Sequence, residues 1–79
     1  MSRIIDGEEM NIVGKKVRQF RIEQKLSQRQ LSEKLETIAV YICRGSISRI
    51  EDQTRTVSDI ELYGLAKILN KNIDAFFSK

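Results

Sequence analysis

The chain has 79 residues and a formal net charge of +3, with 41% hydrophobic residues, 32% charged residues, one cysteine and no histidine. This length supports one domain around one small core, and the composition is that of an ordinary globular protein. A lone cysteine without histidine excludes an internal disulfide and argues against a zinc site or a nucleophile with its usual base. We therefore expect no enzyme, no cofactor and no small-molecule ligand. No secretory signal or membrane-spanning stretch is evident, so we expect a cytoplasmic protein that has no membrane partner.

The positive charge is concentrated in one segment. Residues 15–34 carry seven basic and two acidic side chains, a net charge of +5, whereas residues 1–14 sum to −2 and residues 58–79 to zero. A basic segment on a nearly neutral body indicates a polyanionic partner. The alternative is a solvated, lysine-rich helix surface with no partner.

The first two predicted helices cover residues 11–25 and 28–38. In the first, Val13, Val17 and Phe20 fall on one face at helical spacing. In the second, Ser27 and Gln30 have the spacing of a capping box, in which each side chain bonds to the other residue's backbone N–H.

Three more helices are predicted at residues 44–52, 58–69 and 73–78. Ser58 and Glu61 repeat the capping-box spacing, and Asn70 suits the left-handed residue that ends a helix. The helix at 44–52 has one apolar edge, formed by Ile47 and Ile50, while its arginines and serines point elsewhere. Such a helix can enter the DNA major groove, where the planar fork of arginine donates two parallel hydrogen bonds to guanine.

The segments VRQFRIEQKLSQRQLSEKL, SISRIED and SDIELYGLAKILNKNIDAF follow one another in this order. Together they resemble the Cro/repressor-type helix-turn-helix domain of the XRE family over about residues 12–77. The resemblance implies an all-α fold, a five-helix repressor-like helix-turn-helix domain over residues 11–79. Residues 1–10 would form an N-terminal arm, either flexible or an extra helical turn.

The resemblance also assigns roles to residues of this chain. Arg21 and Glu51 match a structural ion pair between the first and third helices. The residues that match DNA contacts of helix two, of the recognition helix and of the loop after it are Gln28, Arg29, Arg44, Gly45, Ser46, Ser48, Arg49 and Arg55.

The chain departs from the family pattern in several places. Lys25 stands where many members end helix one with glycine, and Cys43 is a poorer acceptor than the usual cap of helix three. The connection between helices two and three is longer than the common spacing by about five residues, where the usual turn has about 3–4. We expect helix two to run to about Ile38, with Val40 and Ile42 packed inward from an extended turn.

The function that the resemblance implies is a sequence-specific DNA-binding transcriptional regulator. Double-stranded DNA is then the partner, and a homodimer is expected, because most members bind DNA as homodimers. Members like this act as repressors, restriction–modification controllers or antitoxin partners. We expect the dimer surface at helix five and the end of helix four. The alternative is a helix-turn-helix protein-interaction module, such as an antitoxin or a regulator-binding partner.

Overall fold

The computed structural model describes residues 9–78, and this part of the chain is helical. Its α-helices are Gly14–Glu23 (α1), Gln28–Glu36 (α2), Arg44–Glu51 (α3) and Asp59–Ile68 (α4), and a 3₁₀ helix, Ile73–Phe76, follows. The all-α prediction is confirmed, but the prediction of five full helices was wrong, because the last element is a single 3₁₀ turn. None of the helices within residues 9–78 has the length and apolar character needed to cross a bilayer. The predicted arm lies mostly outside the described residues.

All four α-helices end in the same way, and each ends earlier than predicted. After each helix, the backbone N–H that follows a left-handed residue bonds to the carbonyl five residues back, as Val40 does to Leu35 at 3.1 Å. This Schellman pattern requires a left-handed residue, which costs a non-glycine side chain about 1 kcal/mol or more. Helix two therefore stops at Glu36 instead of Ile38. The left-handed residues, with φ between 56° and 63°, are Lys25, Ala39, Gln53 and Asn70.

Side-chain caps set the starts of α2 and α4. The two predicted capping boxes, Ser27 with Gln30 and Ser58 with Glu61, are both formed. Helix α1 begins at Gly14, three residues later than predicted, because the Asn11 side-chain oxygen accepts the Gly14 N–H at 2.7 Å. Val13 occupies the N-cap position without a side-chain hydrogen bond, and Asn11, two residues earlier, supplies this bond instead.

A single apolar core lies between the helices. Helix α3 packs against α1 and α2, and α4 packs against α2. The 3₁₀ helix closes one end, where the Phe76 ring meets the Phe20 ring edge to face at 5.1 Å. The largest fully buried side chains are Val17, Leu31, Leu35, Ile47, Ile50, Leu65, Leu69 and Phe76.

The connection between α2 and α3 is an extended turn, defined here as residues 37–43. Its alternation is as predicted, with Val40 and Ile42 buried and Tyr41 75% exposed. Residues 40–43 form no helix, the backbone of Cys43 is extended, and no strand forms within residues 9–78. The Ser32 hydroxyl donates to the Ile42 carbonyl at 2.7 Å. A Cβ on Gly64 would lie 2.8 Å from a Val40 methyl carbon, so α4 lies directly against the turn.

Candidate nucleic-acid interface

Helix α3 has one buried edge and one exposed side. Ile47 and Ile50 are fully buried, whereas Arg44, Gly45 and Arg49 are exposed and the two serines are half-buried. Because Ile47 and Ile50 anchor one edge of α3 in the core, the opposite, polar side of the helix faces outward. Among the predicted DNA contacts, those on this side of α3 are Arg44, Gly45, Ser46, Ser48 and Arg49.

The two arginines of α3 are available for a partner. Within residues 9–78, neither Arg44 nor Arg49 forms a salt bridge with a carboxylate. Among the described residues, the Arg49 guanidinium donates only to the Ser46 hydroxyl, at 3.3 Å. Guanidinium groups with unused donors can form the bidentate hydrogen bonds that guanine or a phosphate accepts.

Cys43 is the residue that precedes α3. It occupies the N-cap position without a side-chain cap hydrogen bond to the backbone, and its thiol lies 3.4 Å from the Ser46 hydroxyl. The hydroxyl of Ser46, and then the backbone N–H of Ser46, lower the pKa of the exposed Cys43 thiol below its ordinary value. As expected from the sequence, Cys43 is a weak cap, and Arg44 remains the first residue of α3.

A buried cluster joins three helices at the C-terminal end of α3. Arg21 of α1 donates to both Glu51 carboxylate oxygens, at 2.6 and 3.0 Å, and to the Leu26 carbonyl at 2.8 Å. Gln28, the first residue of α2, donates to Glu51 at 3.1 Å. The Glu51 side chain is only 2% exposed. The structure therefore contains the predicted Arg21–Glu51 pair, and it adds Gln28 to the same cluster.

Asn11 and the start of α1 also contact the C-terminal end of α3, and the sequence analysis did not predict these contacts. The Asn11 side-chain amide donates to the Ile50 carbonyl at 3.1 Å and to the Arg55 carbonyl at 2.8 Å. Gln53 donates to the Asn11 carbonyl at 3.1 Å. A Cβ on Gly14 would lie 2.0 Å from the Ile50 carbonyl oxygen, so the start of α1 touches the α3 backbone. An asparagine shortly before a helix is a sequence signal for the bond to Gly14, but not for these contacts with α3.

Arg29 and Arg55 are engaged differently from the arginines of α3. Arg29 lies within 3.6 Å of Glu33, and both side chains are strongly exposed. Arg55 forms a bidentate pair with Glu61 of α4, at 2.9 and 2.7 Å, and also donates to the Thr56 carbonyl at 2.7 Å. The Arg55 guanidinium holds the pKa of Glu61 below its ordinary range. Arg55 is therefore attached to the start of α4.

A basic concavity adjoins the buried cluster. Lys15 and Arg18 of α1 line it together with Gln28, and Asp52 contributes one carboxylate. Among the described residues, neither Lys15 nor Arg18 forms a salt bridge. No group of three or more His, Cys, Asp or Glu side chains suited to a metal ion occurs in this part of the chain.

Helix α3 is anchored in the core, carries arginines on its outer side and is hydrogen-bonded at its C-terminal end to the start of α2. This arrangement defines a helix-turn-helix domain. The profile of the helix-turn-helix family matches residues 17–76. The chain belongs to this XRE-type family of DNA-binding transcriptional regulators.

One solved structure illustrates the shared fold. The crystal structure of the clp gene regulator ClgR from C. glutamicum matches with a TM-score of 0.75 and 19% sequence identity. The match covers 91% of this chain and 87% of that chain. At this identity the likeness concerns the fold. No curated protein matches the chain.

Proposed function

We propose that α3 is the recognition helix of a sequence-specific regulator and that it enters the major groove of double-stranded DNA. The observation that carries the proposal is the contrast between the two sides of α3. Its inner edge and its C-terminal end are held by the core and by the Arg21–Glu51–Gln28 cluster. Its outer side presents Arg44 and Arg49 without carboxylate partners among residues 9–78. A helix that is held rigidly and presents unused guanidinium donors is suited to recognising bases.

Each proposed contact has a distinct role. Arg44 and Arg49 read base edges, and Ser46 and Ser48 add hydrogen bonds to bases or phosphates. Gln28 and Arg29, at the start of α2, contact the phosphate backbone. Arg55 joins this set only when its guanidinium leaves Glu61.

Gly45 has a separate role in the proposal, as the point where the DNA comes closest to the helix backbone. A Cβ at Gly45 would meet only the end of the Arg49 side chain, at 3.9 Å. Packing within the chain therefore does not require glycine there. A close approach of DNA to the α3 backbone would require it.

We also propose that the protein binds DNA as a homodimer. Ile73 and Phe77, at the C-terminal end of the described chain, are 42% and 48% exposed. Apolar side chains at this end of the molecule would be covered in a dimer. A dimer would place two copies of α3 on half-sites about one helical turn, or 10 base pairs, apart.

The proposal is tested by selecting duplexes from a random pool with the wild-type protein and measuring affinity for the selected and the random DNA. The expected result is an enriched sequence with two half-sites, together with a dimer in sedimentation on that duplex. If no sequence is enriched, the recognition-helix proposal fails, and the protein-interaction alternative becomes the better account.

A further inference from the structure

The extended turn presents one aromatic side chain outward from a fixed backbone. Val40 is held against Gly64, and the Ile42 carbonyl accepts the Ser32 hydroxyl at 2.7 Å. Tyr41 lies between these two anchors and is 75% exposed, the most exposed of the large hydrophobic side chains described. Both neighbours of Tyr41 are thus buried and immobilised. The backbone therefore fixes where the tyrosine emerges, and little entropy is lost if its ring binds a partner.

Tyr41 also lies beside the N-terminal end of α3. It lines one concavity together with Cys43, the cap residue of α3, and Ser46 in its first turn, with Ser32 and Glu36 of α2 on the same surface. The Tyr41 hydroxyl forms no hydrogen bond with another residue from 9 to 78. An exposed phenol whose hydroxyl has no partner among the described residues therefore lies next to a proposed DNA contact.

We infer that Tyr41 is a further DNA contact, and this inference rests on the proposed function. Its hydroxyl donates a hydrogen bond to a phosphate oxygen at the edge of the groove that α3 enters, and its ring packs against the adjoining deoxyribose. Tyrosine combines an apolar body with a polar tip, which matches a sugar next to a phosphate. The lengthened turn thus extends the interface beyond α3.

This role predicts a pattern of effects that differs from base reading. Phosphate contacts carry no sequence information, so loss of the hydroxyl weakens binding to every duplex by the same factor. Tyrosine is neutral, so the dependence of binding on salt stays unchanged. Loss of a base-reading arginine instead lowers the preference for the selected duplex over random DNA.

The test compares Tyr41→Phe with the matched variant Tyr63→Phe, whose residue is 58% exposed on α4. Binding is followed by the anisotropy of labelled selected and random duplexes. Loss of a hydrogen bond to a charged group predicts about tenfold weaker binding of Tyr41→Phe to both duplexes. We expect Tyr63→Phe to bind as the wild type does, and both variants to give the wild-type slope of affinity against salt.

The intrinsic fluorescence gives a second, independent readout. The chain has two tyrosines and no tryptophan, so each variant retains one emitting tyrosine. Saturation with the selected duplex should change the emission of Tyr63→Phe, which retains Tyr41, and leave that of Tyr41→Phe nearly unchanged.

Each contrary outcome has one meaning. Wild-type affinity of Tyr41→Phe on both duplexes overturns this inference alone, as does equal weakening by Tyr63→Phe. Weakening confined to the selected duplex overturns the phosphate contact. A wild-type protein that prefers no duplex overturns the proposed function, and the inference falls with it.

Discussion

Gly64 of α4 and Val40 of the extended turn are in direct contact, and no Cβ fits between them. A Cβ on Gly64 would lie 2.8 and 3.0 Å from the two Val40 methyl carbons. Alanine would improve the helix propensity of α4 by about 1 kcal/mol. We nevertheless expect Gly64→Ala to destabilise the protein by about 1–3 kcal/mol, because overpacking displaces the turn. Urea unfolding measures the difference.

Two further variants make this prediction specific. Gly45→Ala, where a Cβ meets only the end of the Arg49 side chain at 3.9 Å, should stabilise α3 by up to about 1 kcal/mol. Val40→Ala removes the two methyl groups, so the double variant should be more stable than the sum of the single effects implies. Strict additivity of Gly64→Ala and Val40→Ala would show that the two residues do not press on each other.

The buried Arg21–Glu51 pair should be sensitive to loss of one partner. Glu51→Ala leaves the Arg21 guanidinium, whose side chain is 12% exposed, without its carboxylate. We expect a loss of about 3–5 kcal/mol in the free energy of unfolding, measured with urea. Glu33→Ala removes the exposed partner of Arg29 and should cost at most about 1 kcal/mol. If Glu51→Ala lost no more unfolding free energy than Glu33→Ala, the buried cluster would have no structural role.

The Arg55–Glu61 pair links stability to pH. Arg55 lowers the pKa of Glu61 in the folded protein, so the pair stabilises the fold above the unfolded-state pKa of about 4.3. This stabilisation is lost as the pH falls through the lower folded-state pKa. Glu61→Gln should therefore be less stable than the wild type at pH 7, and the difference should shrink in acid. Unfolding by urea at pH 7 and pH 3 measures it.

The same variant tests whether Arg55 is a DNA contact. Glu61→Gln releases the guanidinium and should bind DNA more tightly. Asp59→Asn is the matched control, because Asp59 lies in the same first turn of α4 but does not contact Arg55. Equal affinities in the two variants would mean that net charge, rather than release of Arg55, governs the change.

The basic side of α1 should contribute to the salt dependence of binding. Arg18 lines the concavity next to Gln28, which is a proposed phosphate contact. If Arg18 neutralises one phosphate, Arg18→Gln should reduce the slope of log affinity against log salt by about 0.9. Lys67→Gln, which removes a cation from α4 near Tyr63, should leave the slope unchanged. Equal slopes for Arg18→Gln and the wild type would place α1 outside the DNA footprint.

The sequence was informative where local rules decide the structure. The serine caps, the inward Val40 and Ile42 and the left-handed Asn70 all follow from spacing and propensity. The Arg21–Glu51 pair came from the family resemblance. The exact ends of the helices could not be predicted from the sequence, because Ala39 and Gln53 adopt a left-handed conformation that their side chains disfavour.

Contacts between distant segments were the main omission. Nothing in the local sequence indicates that Asn11 donates to two carbonyls of residues 50 and 55, or that Gly64 lies on Val40. Likewise, Arg55 is paired with Glu61 because the following helix begins nearby. Such contacts depend on how the helices pack, which spacing along one helix does not specify.

The most direct test of the recognition helix is the preference of Arg44→Ala combined with Arg49→Ala for selected over random DNA, measured at one salt concentration. Because each bidentate contact with a base provides about 1–3 kcal/mol of discrimination, we expect most of the preference to disappear. Arg29→Ala, a proposed phosphate contact, should weaken both affinities and keep their ratio. A double variant that retains the wild-type ratio would contradict the assignment of α3 as the element that reads the DNA sequence.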